Sequence, residues 1–170
     1  MKDQTEPLLR QIRWLTAAFI LGLFLSGVTA IPLRQEVGQL LQLAGGTGSA
    51  TNSTSTPLVA WLEQIHTALQ DVAARQPFLF YGTDWLAFGH FMIAIVFIGA
   101  WRDPVRNCWL FDFGLIACAL VIPYAFCFGA LRGIPVWWRL VDCSFGVFGA
   151  IPLWWCRRLV GKLELLEAKK

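Results

Sequence analysis

Charge is scarce in this chain of 170 residues, where Asp, Glu, Lys and Arg together make up 15%, against about a quarter in a water-soluble domain. That scarcity excludes an ordinary soluble globule. Histidine is almost missing, with His66 and His90 the only two, and neither HExxH nor CxxC occurs. A zinc site, which needs three or four converging ligands, therefore has no donor set to draw on. No glycine-rich phosphate loop follows a strand, no strand is evident, and no similarity between halves marks an internally repeated transporter. The net charge of +3 lacks the one-sided basic stripe that nucleic acid requires. No metal, no cofactor and no nucleic acid is expected.

Apolar side chains are abundant instead: 56% of residues are hydrophobic and 14% aromatic, in long uninterrupted runs that rule out a disordered tail or a collagen-like repeat. The solvent for much of the chain is lipid. A helix needs about 20 mostly apolar residues to cross the hydrocarbon with its backbone hydrogen bonds satisfied internally. Four segments meet that requirement, at about 14–33, 84–101, 109–131 and 138–157. The fourth is the least regular because Asp142 lies inside it and Pro152 interrupts it, although proline is tolerated in membrane helices. The expected fold is all-α, an integral four-helix bundle in a single membrane domain.

With four crossings, Lys2, Arg10, Arg13, Arg102, Arg106, Arg157, Arg158, Lys162, Lys169 and Lys170 fall on one side and only Arg34, Arg75, Arg132 and Arg139 on the other. Positive charge marks the cytoplasmic side, so both termini are expected there. Tryptophans gather at headgroup level and agree with this assignment. Trp14, Trp101, Trp109, Trp154 and Trp155 fall at the inner boundary, Trp85, Trp137 and Trp138 at the outer one. A cleavable signal peptide ending at Val28, Thr29 and Ala30 is the competing reading of the first run. Against it stand the acidic Asp3 and Glu6 and a stripe of small residues, Ala18, Gly22, Ser26 and Ala30, which suits close approach by another helix.

The outer loop, 34–83, contains a polar linker at 44–56 and then a helix at 57–75, capped by Thr56 with Pro57 in its first position. Leu58, Leu62, Ile65, Leu69 and Val72 share one face of that helix, an amphipathic stripe expected to pack on the bundle or a partner. Asn52, Ser53 and Thr54 form a weak glycosylation sequon. Asp103 and Pro104 are expected to cap the third span, and Gly133 to end it.

Ionisable groups at membrane depth are functional hypotheses by default. An outer group comprises Asp84, His90, Arg132, Arg139 and Asp142, with Tyr124 and Cys127 at the same level. Such a set can form a wetted pocket in which His90 and an aspartate handle a proton while the arginines hold an anion. The plainer alternative is a structural network, with Arg139 and Asp142 paired one helical turn apart. An inner group is Asp112 with nearby arginines, read as a salt bridge. Haem held by His66 and His90 is disfavoured, and a disulfide is conceivable only between Cys127 and Cys143.

The runs YGTDWLAFGH at 81–90, RDPVRN at 102–107 and RGIPVWWRLVDCSFG at 132–146 resemble a family of small uncharacterised bacterial inner-membrane proteins. The resemblance spans roughly the last half of the chain and part of the first run. It implies a bacterial inner-membrane location and no activity. The leading expectation is a non-enzymatic accessory or assembly component, its partner a membrane protein or a second copy of itself, met in the bilayer through Leu58, Leu62, Ile65 and Leu69 or the small-residue stripes. The alternative is a ligand-handling protein or membrane enzyme built on the outer polar group.

Overall fold

Six α-helices and one 3₁₀ turn make up the computed structural model, which describes residues 2–45 and 56–168 and, among these, contains no strand. In chain order they are α1 (Lys2–Ala30), α2 (Leu33–Leu43), α3 (Pro57–Arg75), the 3₁₀ turn Pro77–Phe80, α4 (Tyr81–Arg102), α5 (Cys108–Leu131) and α6 (Val136–Glu167). Four of them, within Thr5–Ala30, Pro77–Arg102, Cys108–Leu131 and Val136–Leu166, are long and apolar enough to cross a membrane. The larger part of the expected linker, 46–55, lies outside the described residues, as does the sequon at 52–54.

The helix ends differ from the expected spans for identifiable reasons. The first run was expected to continue to 33, but α1 stops at Ala30. Pro32 disfavours helical backbone in the residue before it, and the chain turns there before α2 begins. Asp103 does not cap α5. Its carboxylate accepts from the Arg106 amide at 3.0 Å, closing a local turn, and the Asn107 side-chain amide donates to the Gly99 and Asp103 carbonyls at 3.1 and 2.9 Å. The freed carbonyls at the end of α4 are thereby satisfied, and α5 starts only at Cys108. Helix α6 runs ten residues past the expected limit of 157, to Glu167. Leu159, Val160 and Leu163 continue its buried face while Arg158 and Lys162 stay exposed, so a polar sequence still builds an amphipathic helix.

The chain divides into two compact units, Met1–Gly22 with Ile93–Lys170, and Leu23–Met92. The first unit is a four-helix core. Ile12 of α1, Phe97 and Ala100 of α4, Leu110 and Phe111 of α5, and Leu153, Cys156, Val160 and Leu163 of α6 are buried together. Phe97 packs its ring against Phe19 and Phe111, with centroids 4.8 and 6.5 Å apart. The one buried hydroxyl here, Thr16, lies 3.8 Å from Cys156 Sγ, which also lies 3.8 Å from the Ile12 carbonyl.

Helices α5 and α6 are antiparallel: partners on α6 descend from Arg157 through Leu153 and Gly146 to Arg139 as those on α5 rise from Asp112 through Gly114 and Cys118 to Gly129. A Cβ at Gly146 would lie 2.6 Å from the Cys118 carbonyl oxygen, a separation that only glycine permits. The hairpin closes through Gly133, whose φ of +70° places it in the left-handed region. The Ile134 amide donates to the Gly129 carbonyl at 2.8 Å and the Gly133 amide to Ala130 at 3.2 Å, the paired bonds of a Schellman ending.

Away from this core the surface is apolar. Ile116 and Leu120 of α5 are 60% and 59% exposed, and Phe145 and Phe148 of α6 are each 69% exposed. Contiguous apolar surface on this scale is rare on a monomer in water.

The second unit contains α2, α3 and the adjoining ends of α1 and α4. Thr56 caps α3, its hydroxyl accepting from the Val59 amide at 3.4 Å, with Pro57 at the first helical position. Val37 and Leu41 of α2 are buried, as are Val59 and Leu62 of α3. Phe91 of α4 stacks on Phe24 of α1 at 5.3 Å and lies where a side chain on Gly27 would be.

Candidate functional site

The expected outer polar residues divide between the two units: Asp84 and His90 belong to one, Tyr124, Arg132, Arg139 and Asp142 to the other. In the four-helix unit, the turn that closes the α5–α6 hairpin leaves the Ile134 carbonyl pointing at Arg139, whose Nε donates to it at 2.7 Å. The aliphatic stem of Arg139 lies over Gly129, 2.9 Å from where a Cβ would stand. Arg139 is thereby held by the turn, and the expected ion pair between Arg139 and Asp142 does not form.

Asp142 instead lines a groove of about 630 Å³ together with Tyr124 and Arg132, in walls otherwise made of apolar side chains and the Gly129–Ile134 turn. Tyr124 rests against Phe128 at 4.4 Å between ring centroids. Among the described residues, Tyr124, Arg132 and Asp142 share no hydrogen bond or ion pair. The arrangement offers a carboxylate, a phenol and a guanidinium to something polar entering an apolar slot, but no side chain there is aligned to activate a nucleophile.

In the other unit, His90 donates from Nδ1 to the Leu86 carbonyl at 2.8 Å, one turn back on α4. That bond fixes its tautomer and leaves Nε2 as the acceptor when the ring is neutral. Thr83 donates likewise to Phe80 at 2.7 Å. Ala87, on the same face, is buried. Asp84 is exposed in the first turn of α4, where the positive end of the helix dipole favours a negative charge. His66, on α3, accepts at Nε2 from the Gln70 amide at 3.3 Å and sits beside Gly38 of α2. Each imidazole is thus bonded within its own helix.

The buried face of α3 is rotated from the one expected. Leu62 is 3% exposed and Val59 is buried with it, whereas Leu58 is 42% exposed, and Ile65 and Leu69 are half-buried. Helix α3 packs on α2, where Val37 and Leu41 are buried as Val59 and Leu62 are. Glu63, which the sequence presents as a surface charge, is 9% exposed. Its spacing of four from Val59 and three from His66 is the signal that places it on the packed face.

At the opposite end of the four-helix unit, Arg157 Nε contacts both oxygens of Asp112 at 2.9 and 3.2 Å, the ion pair expected from sequence. Arg158 stacks over Trp154 at 4.1 Å. All five cysteines are free thiols, Cys127 exposed and Cys143 buried, with no bond between them. Among the described residues no three His, Cys, Asp or Glu side chains converge to hold a metal ion.

Compared with protein-family models, curated proteins and solved structures, the chain matches none of them.

Proposed function

We propose that this chain is a four-span protein of the bacterial inner membrane with both termini in the cytoplasm. In this reading it is a non-enzymatic accessory or assembly component that offers one face of α1 to a helix of a membrane partner, another protein or a second copy of itself. One observation carries the reading. On the small-residue stripe of α1, among the described residues, Ala18 and Gly22 are exposed within the four-helix unit, and a Cβ at Gly22 would meet nothing within 4 Å. Ile12, Thr16 and Gly27, on the other face, are buried. Small residues facing outward let a second helix approach closely, which is how helices associate where lipid removes the hydrophobic drive. The sorting of Lys and Arg supports the orientation, which puts α2 and α3 on the outer side.

The test is co-purification in mild detergent. Gly22→Leu, which fills the stripe, is expected to release the partner or dissociate the oligomer while the protein accumulates normally. Recovery of wild type as a lone monomer overturns the reading.

A second reading, handling of a polar ligand, draws on the groove of Tyr124, Arg132 and Asp142. It requires that Asp142→Asn abolish a phenotype at unchanged abundance. Loss of abundance alone returns Asp142 to a structural role.

A further inference from the structure

We propose that the arginine-rich end of the four-helix unit binds the phosphodiester headgroup of an anionic glycerophospholipid, with a two-phosphate lipid as the best fit. Two adjoining hollows lie there. One, of about 860 Å³, is lined by Arg10, Arg13, Trp14 and Trp101. The other, of about 470 Å³, is lined by Arg13, Arg102 and Arg106. They share Leu9 and Arg13.

Among the described residues no carboxylate holds these arginines. Among the described residues, Arg75 and Arg157 are ion-paired, to Asp71 and Asp112, and Arg10, Arg13, Arg102 and Arg106 are not. Arg13 lies over the Trp101 ring at 5.9 Å, a contact that orients its guanidinium without neutralising it. Two carboxylates also line the hollows, Glu6 in the first and Asp103 in the second. Asp103 is occupied by the Arg106 amide. Four guanidiniums against these two leave each hollow with an excess of positive charge.

The surroundings favour lipid over a soluble anion. Trp101, at the end of α4, and Trp14, where the uncharged run of α1 begins, are both exposed, and indoles mark the headgroup level. Ala17, one turn further along α1, continues the wall of the first hollow toward the apolar stretch, as an acyl chain requires. Guanidinium forks match phosphate oxygens in pairs, and basic pockets between helices on the cytoplasmic side suit anionic headgroups. The inference rests on the membrane reading above and is independent of the partner proposed for α1.

The test titrates the full-length protein in detergent with diphosphatidylglycerol, phosphatidylglycerol and phosphatidylethanolamine, counting bound lipid by native mass spectrometry. Wild type is expected to prefer the anionic lipids at least tenfold over phosphatidylethanolamine, with diphosphatidylglycerol bound tightest. Arg13→Gln with Arg102→Gln is expected to weaken that binding at least tenfold. Arg34→Gln with Arg75→Gln removes the same charge elsewhere and is expected to change it less than twofold. The Arg13→Lys, Arg102→Lys variant keeps the charge and tests the fork, retaining binding at reduced affinity. Equal binding of all three lipids by wild type overturns the proposal even if the glutamine variant does not fold. Inorganic phosphate that displaces the lipid at millimolar concentration also overturns it, assigning the site to a free anion. A chain that stays soluble without detergent overturns the membrane reading together with it.

Discussion

Gly146 and Gly22 are the same residue type in two opposite situations, and the difference can be measured. Alanine at Gly146 gains the helix preference of up to about 1 kcal/mol, but its Cβ would press on the Cys118 backbone carbonyl, and overpacking costs about 1–3 kcal/mol. Gly146→Ala is therefore expected to lower the melting temperature in detergent, and Gly22→Ala, with open space around it, to leave it unchanged or raise it. The sequence identifies both as members of small-residue stripes. Which stripe the chain uses on itself was not legible, because each looks alike until the neighbouring helix is in place. The Asp112 and Arg157 pair was readable from charge alone. The fate of Arg139 was not, since its partner is a main-chain carbonyl made available by the geometry of a turn and not by any side chain. The five free thiols give a further expectation: unreduced, denatured protein should take up one alkylating group per cysteine, and a shortfall of two would reveal a disulfide.

Among the elements, the α5–α6 hairpin and the α2–α3 pair make separate demands. Gly133 occupies left-handed backbone, so Gly133→Ala is expected to destabilise the hairpin by about 1–2 kcal/mol, read as a lowered melting temperature. On α3, Leu62→Ala is expected to cost about 2–5 kcal/mol of local stability. Leu58→Ala should stay within about 0.5 kcal/mol. Hydrogen exchange of the α2 and α3 amides separates the two, and equal effects would contradict the observed rotation of the helix. The start of α3 was legible because Thr56 and Pro57 act through local backbone chemistry. Its buried face was not. Leu58 and Leu62 are equally apolar, and which of them is covered depends on where the neighbouring helix α2 packs. The end of α6 lies beyond the expected span for a related reason: Arg157, Arg158 and Lys162 signal the membrane boundary, whereas Leu159, Val160 and Leu163 keep the helix going beyond it.

For the molecule as a whole, composition alone revealed four membrane-length helices. It could not reveal their lateral arrangement, because lipid and protein core select the same side chains. Leu110 and Phe111 are buried while Ile116 and Leu120, a turn or two later on α5, are exposed, and nothing in their chemistry separates the two pairs. The proposed orientation is checked by reporter fusions. Alkaline phosphatase inserted within 46–55 should be active, and a fluorescent protein after Lys170 should light up in the cytoplasm. The reverse pattern would invert the depth assigned to every polar group.

The contact of Cys156 with the Ile12 carbonyl joins residues 144 positions apart, while the α5–α6 hairpin closes through a turn of a few residues. Local closures are fast and distant ones slow. During synthesis Thr16 of α1 therefore stays without its Cys156 neighbour until α6 has left the ribosome. That interval is when a chaperone, an insertase or a protease can distinguish an unfinished chain from a finished one.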